Sequence, residues 1–306
     1  MHRKPGKAMT HLHFSPEVKA ALADQRPIVA LESTLITHGL PYPTNLDTAV
    51  AMENAIREAG ATPATIAILK GQITVGLTMD QLSMLAEAQN VRKCSRRDLP
   101  IAVGLGEDGA TTVAGTMIVA HKAGIPVFAT GGIGGVHRGQ PFDVSADLIE
   151  LGRTPVAVVC SGAKSILDLP LTLEVLETQG VPIIGLGTDT LPAFYQRSSG
   201  LPIDVCVETP AQVAAIIKAA QVLEAKHGIL IAVPVPAEEE LKEDAEAAID
   251  QATKEAHDLG IVGKRITPYV LGRVAELTEG KSRGANTALL INNARTAASI
   301  AIALKN

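Results

Sequence analysis

The chain has 306 residues, of which 46% are hydrophobic and 19% are charged, and its net charge at pH 7 is −5. This composition predicts a large folded core and excludes an intrinsically disordered chain. The acidic balance and the shortage of aromatic side chains, with no Trp, four Phe and three Tyr, exclude a protein that grips a nucleic-acid backbone or stacks single-stranded bases.

The cysteines and the N-terminal segment bear on the compartment. Cys94, Cys160 and Cys206 are far apart and form no CxxC pair, so neither a disulfide framework nor a zinc site is indicated. The basic N-terminal stretch, residues 1–14, lacks the apolar segment of a secretory signal. No apolar run approaches the roughly 18 residues of a membrane span. We therefore expect a soluble, cytoplasmic protein that binds neither membranes nor nucleic acids.

Short apolar runs alternate with segments of helical periodicity along the whole chain. The runs predict strands at 27–31, 65–69, 99–103, 126–129, 156–160, 181–186, 203–207 and 229–233. Helices are predicted as one short helix before residue 25, then 44–59, 79–90, 111–123, a short helix after 147, 168–179, 210–224, 238–258, 268–279 and 285–304.

The predicted strands are apolar throughout, which is typical of strands covered on both faces of a mainly parallel sheet. We therefore predict a three-layer α/β/α fold, with a mainly parallel but mixed central sheet flanked by helices. Residues 26–306 are expected to form a single large catalytic domain. Residues 1–25 are expected to form an N-terminal arm and the short helix.

Two glycine-containing motifs resemble nucleotide-binding sequences without meeting their requirements. Gly104–Gly109 matches GxGxxG, but the next predicted strand ends at Ala129-Thr130 and lacks the acidic residue that holds a ribose. We interpret this motif as a tight turn that accommodates an anion. Near Lys164, Ala163 stands where a P-loop has glycine, which excludes that mode of ATP binding.

The segment Thr130–Gly135 contains four glycines at the end of a predicted strand. Such a turn allows several backbone N–H groups to point at one anion, and His137 and Arg138 would add charge-assisted contacts. The alternative is a flexible surface loop. Ligands of α/β sheets bind at the carboxyl ends of strands, and this position favours the anion site.

Three polar residues follow that turn at short spacing: Asp143, Ser145 and Asp147. Ser145 and Asp147 are suited to capping the short helix that follows them. Alternatively, one carboxylate with several waters suits a hard cation such as Mg²⁺ or Mn²⁺. Both interpretations stay open from the residues alone.

Lys164 follows the predicted strand 156–160 and stands among small residues. Lysines usually extend into solvent, but small neighbours at a strand end leave room for a pocket. An amine acts as a nucleophile only when it is unprotonated, which desolvation or a nearby cation promotes. Lys93 is a candidate for that cation and for a contact to a substrate phosphate.

Two further residues are candidates for a site. Glu32 follows the strand 27–31, where a buried carboxyl group can act as a general acid or simply serve as a capping group. Asn286 lies at the predicted start of the last helix, as either its cap or a ligand-binding amide.

Several long segments, in order, resemble the pseudouridine-5′-phosphate glycosidase family, which is also called the indigoidine synthase A-like family. They are LESTLITHGLPYPTN, KCSRRDLP, GATTVAGTM, FATGGIGGVHRG, FDVSADL and VVCSGAKSILDLPLTLEVLETQGVPIIG. The similarity runs from about residue 26 to the C-terminus.

The resemblance implies reversible cleavage of the C–C glycosidic bond of pseudouridine 5′-phosphate to uracil and ribose 5-phosphate. It also implies a homotrimer with one divalent cation per subunit, typically Mn²⁺, although other divalent metals are compatible. By resemblance, Lys164 is the covalent nucleophile, Glu32 the proton donor and Asp143 the metal ligand. Substrate contacts are implied for Lys93, Val113, Thr130, His137, Ser145, Ala146, Asp147 and Asn286.

Three other functions are compatible with parts of this pattern. A sugar-phosphate aldolase that forms an imine would share the lysine and the phosphate turn, but it would not depend on uracil. A non-catalytic sugar-phosphate-binding protein would bind without turnover and would tolerate Lys164→Arg. Indigoidine-related pigment chemistry is suggested only by the second name of the family.

Overall fold

A mainly parallel sheet forms the centre of the computed structural model, which describes residues 12–241, 243–261 and 263–306. The strands are β1 (Leu12–Phe14), β2 (Ile28–Leu31), β3 (Thr62–Leu69), β4 (Gln72–Val75), β5 (Arg92–Cys94), β6 (Gly109–Thr111), β7 (Val127–Ala129), β8 (Val136–His137), β9 (Gln140–Val144), β10 (Ala157–Cys160), β11 (Leu167–Asp168), β12 (Ile183–Leu186), β13 (Val205–Val207) and β14 (Ile229–Ala232).

Helices flank this sheet. They are α1 (Pro16–Ala23), α2 (Thr44–Glu58), α3 (Met79–Glu87), α4 (Leu99–Leu105), α5 (Val113–Lys122), α6 (Ala146–Leu151), α7 (Leu169–Thr178), α8 (Pro210–Val222), α9 (Glu243–Asp258), α10 (Ile266–Leu277) and α11 (Lys281–Ala303). A π-helical turn covers Leu35–Gly39, and 3₁₀ turns cover Ala237–Glu239 and Gly263–Arg265. Across the described chain, none of the helices has both the length and the apolar character that spanning a membrane requires.

The strand order confirms the predicted mixed α/β sheet in a single domain. Within the described residues the order is β1-β4-β3-β2-β7-β10-β14-β12-β13, with β6 paired to both β3 and β5. The β3–β4 and β3–β6 pairs are antiparallel, and the other pairs of this sheet are parallel. The central strands β2, β10 and β14 are buried along their whole length, as their continuous apolar sequences predict.

A second sheet, with strand order β11-β8-β9 and antiparallel pairing, lies beyond the carboxyl end of β7. Leu167 pairs with His137, so this small sheet joins the segment after the glycine-rich turn to the segment after Lys164. None of its strands was predicted, because each is only two to five residues long and carries little periodicity.

The N-terminal segment is partly described. The predicted short helix is confirmed as α1, and β1 before it pairs in parallel with β4 at the edge of the main sheet. Val18 and Ala21 of α1 belong to the main core. The predicted arm lies mostly in residues 1–11, outside the described residues.

The prediction of a strand at 99–103 is wrong, because Leu99–Leu105 forms helix α4. Pro100 is suited to the first turn of a helix, and Gly106 ends α4 in the left-handed conformation. Leu99 and Ala102 are buried whereas Leu105 is exposed, a helical spacing that a run of seven residues is too short to reveal. The GxGxxG motif therefore begins in the last turn of α4 and ends at the start of β6.

The β3–β4 hairpin was also missed. Lys70 and Gly71 connect the two strands with φ values of 49° and 77°, the left-handed pair that suits a tight hairpin turn. The N–H of Lys70 donates to Asp108 at 2.7 Å, so the acidic part of the GxGxxG motif packs against this hairpin.

Gly162, between β10 and Lys164, offers a test of the local fold. Its φ is +79°, and a Cβ atom there would lie 2.0 Å from the carbonyl oxygen of Pro192. We expect Gly162→Ala to lower the free energy of unfolding by about 3 kcal/mol or more, through combined backbone strain and overlap. Urea unfolding followed by circular dichroism measures this loss.

Gly180→Ala is the matched control. Gly180 also has a left-handed φ of +69°, but nothing lies within 4 Å of its added Cβ. We expect a loss of only about 1 kcal/mol from the backbone conformation. Equal losses for the two variants would show that the contact with Pro192 does not constrain the chain after β10.

Candidate active site

The site begins where three neighbouring parallel strands end. β7 lies between β2 and β10, with Leu31 opposite Ala129 and Ala129 opposite Val159. Glu32 and Thr130 each follow the last of these paired residues and therefore lie side by side at the carboxyl edge of the sheet. This is the edge at which α/β proteins bind ligands.

The carboxylate of Glu32 is held by two hydroxyl groups. Thr130 donates to Oε1 and Thr34 donates to Oε2. Thr130 is buried at the end of β7, and Thr34 is buried directly before the π-helical turn. Glu32 is consequently fixed from both sides rather than left free to rotate. It belongs to a site rather than to a helix cap, because no helix N–H bonds to it in the described structure.

A pocket open to solvent gathers five of the predicted residues at this edge. They are Glu32, Lys93, Thr130, Lys164 and Asn286. Lys93 arrives on β5, Lys164 follows β10, and Asn286 projects from α11, so distant parts of the chain converge here. The structure thus brings both predicted catalytic residues into one pocket.

Main-chain hydrogen bonds fix the segment that carries Lys164. Its N–H donates to the carbonyl of Ile133 at 3.1 Å, and its carbonyl accepts from Leu167 at 3.0 Å. The N–H of Ile133 in turn donates to the carbonyl of Gly162 at 3.1 Å. Lys164 itself is half-buried, so it is not an ordinary surface lysine.

Cys160 lies just below this segment and is fully buried. Burial raises the pKa of its thiol to about 12, although the nearby N–H groups of Gly162 and Ile133 and the charge of Lys164 oppose the shift. Because the thiolate is the nucleophilic form of cysteine, this thiol does not compete with Lys164 at neutral pH.

Helix α11 closes one side of the pocket. It begins at Lys281 rather than near residue 285, so Asn286 lies inside the helix and is not its cap. Two turns further along, buried Asn293 donates to the carbonyl of Thr130 at 2.9 Å and to the hydroxyl of Ser161 at 3.1 Å. Asn293 thereby ties the ends of β7 and β10 together beneath the pocket.

The glycine-rich turn is explained by close packing rather than by an anion nest. Gly131, Gly132, Gly134 and Gly135, all described, are absent from the left-handed residues of the chain. An added Cβ would lie 2.7 Å from the ring of Phe194 at Gly132, 2.2 Å from Ser145 at Gly134 and 2.4 Å from Thr172 at Gly135. Gly131 and Gly132 line the pocket.

Asp147 binds the backbone at the far end of this turn. Its carboxylate accepts from the N–H of Gly134 and from the N–H of Ala114, each at 2.9 Å. Ala114 lies in the first turn of α5, where a negative charge complements the helix dipole. Asp147 is therefore a buried clamp between the turn and α5.

The neighbours of Asp147 mark the beginnings of two helices. Ser145 is the N-cap of α6 and accepts from the N–H of Asp147 at 3.2 Å, as the capping interpretation predicts. Ala146 is the exposed first residue of α6, and Val113 is the buried first residue of α5. These residues do not line the pocket around Glu32 and Lys164; the glycine-rich turn connects them to it.

His137 and Asp143 form a pair on the small sheet. Nδ1 of His137 lies 3.2 Å from Oδ2 of Asp143, and the buried Nε2 has no hydrogen-bond partner among the described residues. The described part of the chain contains no group of three or more His, Cys, Asp or Glu side chains arranged for a metal. One partly exposed carboxylate fits a hard cation that keeps most of its water ligands.

Arg138, which was expected to contact an anion, lies outside the pocket around Lys164. Its guanidinium donates to the carbonyls of Ser165 and Leu167, to Asp250 at 2.8 Å and to Glu246 at 3.4 Å. Arg138 therefore joins the small sheet to α9, and its charge is already compensated by two carboxylates.

Several residues that line the pocket were not singled out by the sequence. His38 comes from the π-helical turn after Glu32, and Phe194 contributes a wall. Thr267, Pro268 and Leu271 of α10 form another wall. His38 lies within the segment LESTLITHGLPYPTN, which carries the family resemblance. A histidine shortly after Glu32-Ser-Thr in this segment is the sequence signal that could have identified it as a pocket residue. The α10 residues carry no comparable signal.

Comparisons with known proteins identify the family of this chain. Residues 17–303 match the model of a family described as indigoidine synthase A like protein. A pseudouridine-5′-phosphate glycosidase from Solibacter usitatus is 55% identical over 96% of this chain and 100% of its own length. One from Geobacillus kaustophilus is 56% identical over 95% of this chain and 97% of its own length.

Two solved structures share the fold. An indigoidine synthase A-like protein from Thermotoga maritima has a TM-score of 0.89 at 34% identity, covering 99% of this chain and 100% of that one. The prealnumycin C-glycosynthase AlnA, solved with ribulose 5-phosphate, has a TM-score of 0.87 at 40% identity and covers 96% of both chains. With a family model that spans nearly its whole length, this chain belongs to the indigoidine synthase A-like family.

Proposed function

We propose that this protein is a pseudouridine-5′-phosphate glycosidase, which cleaves its substrate reversibly to uracil and ribose 5-phosphate. The observation that carries the proposal is the pocket in which Lys164, Glu32 and Lys93 meet, in a chain about 55% identical to proteins of that name. The similarity to a C-glycosynthase solved with a pentose phosphate supports chemistry at a sugar–carbon bond.

The leaving atom explains why a lysine is needed. In an ordinary glycoside, two carboxylates suffice because the departing oxygen or nitrogen accepts the bonding electrons. In pseudouridine the departing atom is carbon C5 of uracil, which is a much poorer leaving group. A covalent amine intermediate divides the difficult step into easier ones, because the nitrogen lone pair can expel the base.

The arrangement supports the following sequence. Glu32 protonates the ring oxygen O4′ while the amine of Lys164 bonds to C1′, so that the C1′–O4′ bond breaks and the sugar opens. The new ammonium returns a proton to Glu32. The nitrogen lone pair then forms the C1′ iminium as the C1′–C5 bond breaks and C5 gains a proton. Water hydrolyses the iminium, which releases ribose 5-phosphate and the free lysine.

The remaining residues position the substrate. Lys93 supplies a positive charge for the phosphate in a protein of net charge −5, and Asn286 offers an amide to a sugar hydroxyl or to the base. We place Val113, Thr130, His137, Ser145, Ala146 and Asp147 around the substrate by resemblance. For Thr130 and Asp147, the observed hydrogen bonds support a role through Glu32 and the glycine-rich turn.

We assign Asp143 to a divalent cation, with Mn²⁺ as the first candidate. The single carboxylate beside His137 suits a cation that retains waters, and the orphaned Nε2 of His137 marks an incomplete polar environment. When bound, such a cation supplies positive charge that polarises oxygen atoms of the substrate. We further propose a homotrimer that acts in the cytoplasm, in the breakdown of pseudouridine nucleotides.

A uracil-release assay with pseudouridine 5′-phosphate, with and without Mn²⁺, tests the proposed function. Uracil release is expected, and ribose 5-phosphate plus uracil should regenerate the substrate. The competing aldolase would act on sugar phosphates without any dependence on uracil. Absence of uracil release from the folded protein in the presence of metal would overturn the proposal.

Lys164→Ala is expected to lower turnover by about a thousandfold or more, because the nucleophile is lost. Borohydride added with ribose 5-phosphate should attach a reduced sugar phosphate to Lys164 of the wild type, detected by mass spectrometry of peptides. Lys122→Ala, at an exposed position on α5, should keep both activities. An unlabelled Lys164 in an active wild type would contradict the imine.

Chelation of divalent metal should depress uracil release, and Mn²⁺ should restore it. Asp143→Asn should weaken the apparent affinity for Mn²⁺ by at least about tenfold, since the charged ligand is lost. Asp168→Asn, an exchange at the N-cap of α7 away from the pocket, serves as the control. If activity is indifferent to chelation, Asp143 serves only the pairing with His137.

Thr34→Val should lower kcat by roughly ten- to a hundredfold with little change in KM, because Glu32 loses the hydroxyl that holds Oε2. Thr34→Ser keeps that hydroxyl and should retain most of the activity. The measurement is steady-state uracil release at several substrate concentrations. A loss confined to KM would show that Thr34 acts on the substrate instead of on Glu32.

A further inference from the structure

The proposed reaction requires a proton for C5 of uracil, and no residue has yet been assigned to give it. The nitrogen of Lys164 is bonded to C1′ at that moment and provides the electron pair. Glu32 recovers its proton from the new ammonium, but it is held between Thr34 and Thr130 and is assigned to the ring oxygen. A further inference, which rests on the proposed function, therefore concerns the acid that acts at C5.

The ionisable side chains that line the pocket, within the described residues, are Glu32, His38, Lys93 and Lys164. Lys93 is the group suited to the phosphate dianion. Histidine is the side chain that most readily both gives and takes a proton near neutral pH. His38 is thus the pocket residue whose chemistry matches the unassigned step.

The π-helical turn positions His38 at the pocket. The π-helical turn Leu35–Gly39 is closed by a hydrogen bond from the N–H of Leu40 to the carbonyl of Leu35 at 3.3 Å. Single π turns of this kind occur frequently at functional sites. Here the turn starts directly after Thr34, so the segment that holds Glu32 also carries His38 to the pocket wall.

The imidazole ring is also oriented. Nδ1 of His38 is in hydrogen-bond contact with the hydroxyl of the adjacent Thr37, and the side chain is half-buried. A contact to one ring nitrogen restrains the orientation of the ring, which suits a histidine that transfers protons. The connection after β2 therefore presents a carboxyl group and an imidazole to the same space.

We propose that His38 is a catalytic residue that protonates C5 of the departing uracil. The imidazolium N–H gives its proton to C5, which receives the electron pair of the C1′–C5 bond, while the nitrogen of Lys164 forms the iminium. The neutral imidazole then takes the proton that is released when water adds to the iminium. In the reverse direction, His38 removes the proton from C5 as the C–C bond forms.

His38→Gln tests this assignment, with His121→Gln as the matched control. His121 is an exposed histidine on α5 and lies outside this pocket. We expect His38→Gln to lower kcat for uracil release by about 10² to 10⁴, the usual contribution of general acid–base catalysis. Labelling of Lys164 by ribose 5-phosphate and borohydride at equilibrium should remain complete, because forming that adduct does not involve C5.

A second variant and an isotope measurement separate chemistry from folding. Imidazole added to His38→Ala should restore part of the uracil release. In D₂O, the wild type with uracil and ribose 5-phosphate should exchange hydrogen at C5, whereas His38→Gln should not. A kcat for His38→Gln within about threefold of the wild type, a loss confined to KM, or undiminished C5 exchange would overturn the role of His38. A wild type that releases no uracil would instead overturn the proposed function itself.

Discussion

The parallel pairing of β7 between β2 and β10 is the interaction on which the site depends. Its register places Leu31, Ala129 and Val159 side by side, so the residues that follow them emerge at one level. The hydrogen bond from Thr130 to Glu32 is a direct consequence of this register. A slip by one residue would turn these side chains to opposite faces of the sheet and separate them. Backbone pairing therefore fixes the relative positions of Glu32 and Thr130 before any substrate binds.

Helix α11 secures that register from outside the sheet. Asn293 is fully buried and bonds to both strand ends, and such an amide is costly to bury unless its partners are in place. Asn286 lies seven residues earlier, close to two helical turns, and so faces the same side. One face of the helix thus supports the floor of the pocket with one asparagine and lines the pocket with another.

The sequence predicted the sheet and the main pocket residues, because the central strands are apolar along their whole length. Glu32 and Thr130 follow such strands directly, and Lys164 comes shortly after the end of β10. Prediction from the sequence failed where local pattern was short or ambiguous: Leu99–Leu105 has too few residues to distinguish helix from strand, and β8 and β9 form only through pairing. The carboxylate partners of Arg138 lie more than a hundred residues away on α9, a tertiary relation that no spacing reveals. The glycines of the turn were expected to free backbone N–H groups, whereas they are required by neighbouring side chains.

Asp147 and Gly134 show how a residue can be required by a site without contacting the substrate. The carboxylate of Asp147 neutralises the first turn of α5 and fixes the N–H of Gly134, and Gly134 continues into the stretch that lines the pocket. Ile133, one residue before Gly134, accepts the N–H of Lys164. The clamp at Asp147 is therefore linked to Lys164 by one hydrogen bond from the N–H of Gly134 and one main-chain hydrogen bond between Lys164 and Ile133. A preorganised nucleophile of this kind needs no rearrangement at the moment of bond formation, which is where an enzyme that breaks a carbon–carbon bond gains most from rigidity.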